Sequence, residues 1–205
     1  MRSRRLERSR GRLVLVVASV VSAASGCATS TSARFPSQSP AIKNFQFVAP
    51  GLYRGAQPDA EGIKDLKARG MKTILSLRVP DRVNAWEAKE AVESGLDFIS
   101  LPLSNYDHPS NSDVREFLKV VTDPTRQPVF VHCRQGQLRT GAVIASYRVL
   151  EQGWRADQAY QEAKRYGFDD QYPWYLPLKW FVQELDTYAH RNMQHAAAPS
   201  DALSP

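Results

Sequence analysis

Residues 131–141, VHCRQGQLRTG, place Cys133 directly after a histidine and six residues before an arginine. A cysteine reacts as its thiolate, and nearby positive charge lowers its pKa enough to make it a nucleophile at neutral pH. The planar guanidinium of Arg139 can donate two parallel hydrogen bonds to the oxygens of one anion. This spacing therefore combines a sulfur nucleophile with a ligand for an oxyanion.

The predicted elements on either side would hold both groups at one place. Residues 128–132, PVFVH, predict a buried strand, and residues 140–152 predict a helix. Ligands bind at this edge of an open α/β sheet, where the backbone N–H groups of a helix N-terminus bind anions. Gly136 permits the tight curl that such a loop needs. The predicted phosphate-binding residues are Arg134, Gln135, Gly136, Gln137, Leu138 and Arg139.

The other side chains of the segment have predicted roles in phosphoryl transfer through sulfur. Cys133 would attack phosphorus, because the helix dipole favours its thiolate. Arg139 would hold two phosphate oxygens and stabilise the transition state. Thr140 would donate a hydroxyl hydrogen bond to the sulfur and so make it a better leaving group. His132 would orient the loop through hydrogen bonds and would not act as a base.

Runs of strand length alternate with runs of helical periodicity along the chain. Pro50-Gly51 predicts a hairpin turn, and residues 73–78 and 97–103 predict two further strands. Alternating strands and helices imply right-handed crossovers. We therefore expect an α/β fold with a central, mostly parallel sheet flanked by helices. The predicted helices cover residues 60–69, 85–94, 140–152 and 157–166, one begins at Ser110, and Leu178, Phe181, Val182 and Leu185 mark the last.

Aromatic residues outside this segment are interpreted as core and helix-packing residues rather than as a recognition surface. Arg78, at the end of a predicted strand, fits either the pocket or the surface. The aromatic residues concerned are Trp86, Trp154, Trp174, Trp180 and the tyrosines of residues 168–175.

HCRQGQLRTG resembles the H-C-x₅-R-(S/T)-G signature of the cysteine-based protein tyrosine and dual-specificity phosphatases. GLYRGAQP (residues 51–58) and TILSLR (residues 73–78) are similar to the opening strands of compact bacterial, dual-specificity-like members. The resemblance implies a dual-specificity-phosphatase-like fold and hydrolysis of phosphate monoesters through a cysteinyl-phosphate intermediate, without a cofactor. Leu138 departs from the bacterial relatives, which often have Asp or Asn there, and we expect it to make the pocket rim less polar.

The resemblance also implies a general acid, because an alkoxide or phenoxide leaves poorly unless it is protonated. In the family this acid is an aspartate on a mobile loop after the strand that precedes the signature strand. The matching stretch is LPLSNYDHPSNSD (residues 101–113), so Asp107 is the candidate. Asp113 is the alternative, but its S-x-x-D spacing from Ser110 indicates a helix-capping role.

Three functions remain open at this point. The first is a phosphatase acting on phosphorylated protein, and the second is a phosphatase acting on small-molecule phosphate esters such as inositol phosphates or phosphoinositides. Members of the second kind carry several basic residues in the loop, whereas only Arg134 is basic here. The third is a phosphate-binding module without turnover, which the joint presence of Cys133, Arg139 and Asp107 disfavours.

The net charge and the spacing of histidine and cysteine residues predict neither a nucleic-acid partner nor a bound metal. The formal net charge is +6, but six arginines and one glutamate lie within residues 2–12, so residues 13–205 carry only +1. A nearly neutral domain predicts no nucleic-acid partner. The four histidines and two cysteines have no zinc-ligand spacing, so we expect no metal.

The basic N-terminal cluster precedes an uncharged run, residues 13–26, that ends at Cys27. This order is typical of a secretory signal, and the run is shorter than the ~20 residues that span a bilayer. Ser25-Gly26-Cys27 resembles the bacterial lipobox, although Ala24 departs from it. We expect the exported, periplasmic branch of the family and a lipoprotein whose membrane contact is the lipid on Cys27. A plain cleaved signal and an uncleaved anchor are the alternatives.

The chain is therefore divided into four predicted parts. Residues 1–27 form the signal peptide, and residues 28–41 form a flexible tether rich in Ser, Thr and Pro. Residues 42–190 form the phosphatase domain, which is large enough for one core. Residues 191–205 form a disordered tail. Cys133 is then the only thiol of the mature domain.

Overall fold

Short apolar runs form a five-stranded sheet in the computed structural model, which describes residues 38–104, 106–168 and 171–190. The first two strands form an antiparallel hairpin, and the other neighbouring strands are parallel. The predicted α/β fold with a mostly parallel sheet is confirmed. The strands are β1 (Gln46–Ala49), β2 (Leu52–Ala56), β3 (Thr73–Ser76), β4 (Asp97–Ser100) and β5 (Val129–Cys133), in the order β1-β2-β5-β3-β4.

Helices form most of the connections, and three of them begin at a residue whose side chain caps the first turn. Asp59, Asp81 and Ser110 each accept a hydrogen bond from the backbone N–H three residues later. Within the described ranges, no helix has the length and apolar character needed to cross a membrane. The helices are α1 (Ala60–Ala68), α2 (Arg82–Glu93), α3 (Asn111–Thr122), α4 (Leu138–Leu150), α5 (Ala156–Arg165) and α6 (Leu176–Gln183).

Two predicted helix starts differ from the structure by more than one residue. α2 begins three residues before the predicted start at residue 85, because Asp81 caps it. α4 begins two residues before the predicted start at residue 140, so Arg139 and Thr140 lie in its first turn. The side chains of the first turn of α4 therefore lie beside the loop that follows β5.

Alternation along β5 directs successive side chains to opposite faces of the sheet. Val129, Val131 and Cys133 belong to the apolar cluster that the sheet forms with α3 and α4. Phe130 belongs to the cluster that the opposite face forms with α1 and α2. His132 lies on that face and stacks on the Phe130 ring, with ring centroids 5.7 Å apart. Cys133 thus ends its strand at the edge of the sheet where α4 begins.

The outer face of α6 carries exposed aromatic residues. Leu178 and Val182, one turn apart, are fully buried against α4 and α5. Trp180, on the other face, is 55% exposed, and Tyr172 and Trp174 stack on each other while both remain about half exposed. The interpretation of these three residues, and of Trp86 (39% exposed), as core and helix-packing residues is wrong; in α6 the aliphatic residues occupy the buried face.

Candidate active site

The loop of residues 134–137, which joins β5 to α4, is here called the anion loop. α4 has no side-chain N-cap, since the Gln137 side chain makes no capping hydrogen bond. The first N–H groups of an uncapped helix point at the space before it and need an acceptor. The Cys133 sulfur fills that role, because it accepts hydrogen bonds from the backbone N–H groups of Gln135 and Thr140.

The surroundings of Cys133 favour its thiolate. The residue is only 3% exposed, and this burial raises the pKa of the thiol. The neighbouring Thr140 hydroxyl, the backbone N–H groups of Thr140 and Gln135, and the positive charge of Arg139 oppose burial, and the net pKa is lowered. Sulfur in this state is a nucleophile, and the same donors would stabilise it as a leaving group.

Arg139 is held by the ends of two neighbouring strands. Its Nη1 donates to the carbonyl oxygens of Leu77, at 3.2 Å, and Leu103, at 3.4 Å, which follow β3 and β4. Its Nε has no hydrogen-bond partner among the described residues although it is buried. Burial lowers the pKa of Arg139, and the nearby charge of Arg78 lowers it further. The Cys133 thiolate raises it, but the net pKa is lowered. A buried guanidinium with an unused donor beside the sulfur suits a phosphate oxygen.

Gly136 lets the anion loop lie directly on the end of β2. Its φ is +69°, and a Cβ there would lie 2.3 Å from the carbonyl oxygen of Gly55. The Gly136 carbonyl oxygen accepts hydrogen bonds from Arg54 Nη2 at 2.7 Å and from Asn44 Nδ2 at 3.1 Å. A side chain at residue 136 would therefore push the loop away from the strand that supports it.

Arg54 is a site residue that the sequence analysis missed. It lies in β2, is 1% exposed, and holds its guanidinium 4.7 Å from the centre of the Tyr166 ring. Its Nε and Nη1 have no hydrogen-bond partners among the described residues. Burial lowers the pKa of Arg54 to about 10, against the opposing charges of Glu162 and Cys133, so it stays charged at neutral pH. An arginine within a strand whose five residues are all buried was the available signal.

His132 connects the nucleophile to a buried polar chain. Its Nδ1 lies 3.2 Å from the Cys133 carbonyl oxygen, and its Nε2 lies 2.7 Å from Oε1 of Glu87. Both side chains of this pair are fully buried. Oε2 of Glu87 accepts a hydrogen bond from Gln57 Nε2 at 2.8 Å, and Gln57 Oε1 accepts one from Arg78 Nη1. The His132 contacts suit a residue that orients the loop, and neither Glu87 nor Gln57 was found from the sequence.

The sequence left open whether Arg78 faces the pocket or the surface, and the structure places it beside the pocket. Its side chain is 13% exposed and also pairs with Asp81. It lies near enough to Arg139 for its charge to lower the pKa of that residue. The pocket therefore has a second arginine at its edge.

The predicted general acid is not brought into contact with the nucleophile. Asp107 lies in the acid loop, defined here as residues 106–110, and its side chain is 75% exposed. Its Oδ1 accepts a hydrogen bond from the backbone N–H of His108 at 2.8 Å. Tyr106, its neighbour, is close enough to Arg139 to affect the pKa of that arginine, so the loop reaches the edge of the pocket.

The other predicted site residues differ in their surroundings. Asp113 accepts hydrogen bonds from the Ser110 backbone and hydroxyl, which is the predicted capping role. The Leu138 side chain packs into the apolar cluster of α4, α5 and α6, so the expectation of a less polar rim is wrong. Arg134 and Gln135 are exposed, and Gln137 is half-buried. Cys27 lies outside the described residues.

Comparisons with known proteins agree with this geometry. The family described as "PTP-NADK: DSP-PTPase phosphatase fused to NAD+ Kinase" matches residues 37–173. The chain belongs to this family. The fold thus corresponds to that of dual-specificity-like phosphatases.

Several known proteins and solved structures are similar to this chain over most of the domain. "Dual specificity protein phosphatase TpbA" of Pseudomonas aeruginosa is 33% identical over 150 residues, which are 73% of this chain and 66% of TpbA. A crystal structure of a cysteine-to-serine TpbA variant with phosphotyrosine matches with a TM-score of 0.62 and 26% identity, covering 78% of this chain and 99% of that one. "Inositol diphosphatase DSP1" of Oryza sativa is 28% identical over 129 residues, 60% of this chain and 56% of that protein. The chain thus spans two thirds or less of the length of these curated relatives.

Replacing Arg54 with methionine should raise the pKa of Cys133, because it removes a buried positive charge near the thiolate. We expect the pH midpoint of iodoacetamide alkylation of Cys133 to move up by about one unit. Arg54→Lys, which keeps the charge, should move it less. Arg69→Met is the matched control, since the Arg69 guanidinium lies over the Phe45 ring and pairs with Asp65. Identical alkylation profiles for wild type and Arg54→Met would contradict this role.

Replacing Gly136 with alanine should displace the anion loop and weaken oxyanion binding about 10- to 100-fold. Isothermal titration with tungstate measures this affinity. Gly153→Ala is the control, because Gly153 has nearly the same φ, +68°, but no atom within 4 Å of its added Cβ. Equal tungstate affinity in the Gly136 and Gly153 variants would show that contact with β2 does not set the loop shape.

Proposed function

We propose that the protein is a protein tyrosine or dual-specificity phosphatase that hydrolyses phosphate monoesters through a cysteinyl-phosphate intermediate. The observation that carries this proposal is the position of the buried Cys133 sulfur at the uncapped start of α4, beside Arg139, whose buried Nε has no hydrogen-bond partner among the described residues. Family membership and the similarity to a dual specificity phosphatase support the same reaction.

The reaction would proceed in two displacement steps. In the first, the Cys133 sulfur bonds to phosphorus as the bond from phosphorus to the ester oxygen breaks, and Asp107 gives its proton to that oxygen. In the second, Asp107 takes a proton from water, the water oxygen bonds to phosphorus, and the sulfur–phosphorus bond breaks. Arg139 would hold the equatorial oxygens in both steps, and Thr140 would stabilise the departing thiolate.

Asp107 must move for this mechanism to work. Its side chain is 75% exposed and makes no hydrogen bond to Cys133 or Arg139. Loops that close over bound substrate commonly complete a catalytic site and exclude water. In the proposed mechanism the acid loop closes when phosphate is bound and brings the Asp107 carboxyl group to the ester oxygen.

Phosphorylated protein is the substrate class that we propose first. The similar TpbA is named a dual specificity protein phosphatase, and its variant was crystallised with phosphotyrosine. Inositol phosphates form the second candidate, because Arg78 adds a positive charge beside Arg139 that suits a substrate with several phosphates, and the sequence alone did not place Arg78 at the pocket. A panel of phosphotyrosine peptides, phosphoserine peptides and inositol polyphosphates, compared by kcat/KM, would decide between them.

We also propose that the mature protein is an exported, periplasmic lipoprotein anchored through Cys27. The basic cluster at residues 2–12, the apolar run at residues 13–26 and the following cysteine support this proposal. Cys27→Ser should abolish incorporation of labelled palmitate and release the protein from the membrane fraction of a bacterial host. Unchanged fractionation and labelling would contradict the lipoprotein proposal.

Replacing Asp107 with asparagine should lower kcat by about 10²–10⁴-fold for a phosphotyrosine peptide, because the phenoxide then leaves without a proton. The effect on p-nitrophenyl phosphate should be much smaller, since that leaving group departs without help. Cys133→Ser sets the zero level of the assay in both cases.

Asp113→Asn is the matched control, since Asp113 caps α3 through Ser110. It should lower the thermal midpoint while leaving the dependence on leaving group unchanged. The reverse pattern, with Asp113→Asn sensitive to the leaving group and Asp107→Asn insensitive, would assign the acid to Asp113.

A further inference from the structure

A groove of about 390 Å³ lies between the acid loop and the outer face of the C-terminal helical region, which comprises α6 and residues 185–190. Asp107 and His108 line it from the loop side. Trp180, Glu184 and Tyr188 line it from the helical side, where their spacing of four residues places them on one face. The volume is sufficient for one long side chain of a bound molecule.

Two carboxylates line this groove while the acid loop is open, and Glu184 stays there when Asp107 moves to the ester oxygen. Asp107 and Glu184 are both exposed. Among the described residues, neither carboxylate pairs with a lysine or an arginine, and His108 Nε2 lies 4.0 Å from Asp107 Oδ1. The pocket on the other side of the acid loop has the opposite charge, since it contains Arg139 and Arg78.

The aromatic residues of the groove add a second preference for cations. Trp180 is 55% exposed and lies one helical turn from Glu184. The face of an indole ring attracts a guanidinium or ammonium group, and a neighbouring carboxylate binds the same group through hydrogen bonds. An exposed indole beside the Glu184 carboxylate, which does not move with the acid loop, is therefore complementary to a basic side chain that has both a charged end and an apolar stem.

We infer that this groove binds an arginine or lysine side chain of a phosphorylated polypeptide whose phosphate occupies the anion loop. The inference rests on the proposed phosphatase function and names the substrate class of that site. The acid loop connects the two regions, since Tyr106 is near enough to Arg139 to affect the pKa of that arginine and the next residue, Asp107, lines the groove. A substrate crossing this loop places a phosphate on one side and a cation on the other. A polyanionic small molecule would instead meet the carboxylates of the groove.

Phosphotyrosine peptides with Arg, Ala or Glu at each position near the phosphorylated residue test this inference. At the best position we expect kcat/KM to be about tenfold higher for Arg than for Ala, and lower again for Glu. Glu184→Gln and Trp180→Ala should each reduce the ratio of kcat/KM for the Arg peptide to kcat/KM for the Ala peptide to about two or less. Both variants should leave kcat/KM for free phosphotyrosine unchanged. Circular dichroism checks that each variant is folded.

Glu116→Gln is the matched control, because Glu116 is an exposed carboxylate on α3 (59% exposed) that does not line the groove. It should keep the full preference for Arg. No preference for Arg in the wild type, or an undiminished preference in Glu184→Gln, overturns the inference.

Failure of the proposed function gives a different result, namely no turnover of any phosphate ester, including p-nitrophenyl phosphate. The same peptides are therefore also titrated onto Cys133→Ser by fluorescence anisotropy. Tighter binding of the Arg peptide than of the Ala peptide, lost on adding Glu184→Gln, would support the groove even without turnover. Equal affinities for the Arg and Ala peptides would overturn it.

Discussion

The negative charge of the Cys133 thiolate must be stabilised in a place from which water is almost excluded, and the rest of the site follows from that requirement. An anion in a residue that is 3% exposed would be costly without partners. Two backbone N–H groups, the neighbouring Thr140 hydroxyl and the charge of Arg139 stabilise it there. Because these donors are fixed before substrate binds, they need little rearrangement when a phosphate arrives.

The position of these donors depends on β2 as much as on the anion loop itself. Parallel pairing sets Gly55 opposite His132 and Ala56 opposite Cys133. The loop curls back onto this strand at Gly136, whose carbonyl oxygen accepts a hydrogen bond from Arg54. Sheet register therefore sets the loop shape, and the buried guanidinium of Arg54 adds positive charge near the thiolate. A change in the hairpin would alter the reactivity of the cysteine without touching the signature segment.

The sequence was informative where the relevant residues are close together in the chain. The order of strands and helices followed from periodicity, and the capping of α3 followed from the spacing of Ser110 and Asp113. Contacts between distant segments were not predictable in this way. Arg54 meets the anion loop 82 residues later in the chain, and Glu87 reaches His132, in β5, from α2. Periodicity assigns a side chain to a face but not to a partner, so it also failed to separate the exposed Trp180 from the core.

Trapping of the phosphorylated enzyme tests the central claim, that the Cys133 thiolate is the nucleophile. The protein is mixed with excess p-nitrophenyl phosphate, quenched in acid within the first turnovers, and analysed by intact mass and peptide mapping. The account predicts a species heavier by one phosphoryl group, with the group on the peptide that contains Cys133, and no such species in Cys133→Ser. Release of phosphate at the wild-type rate with no phosphorylated species, or with the group on another residue, would contradict it.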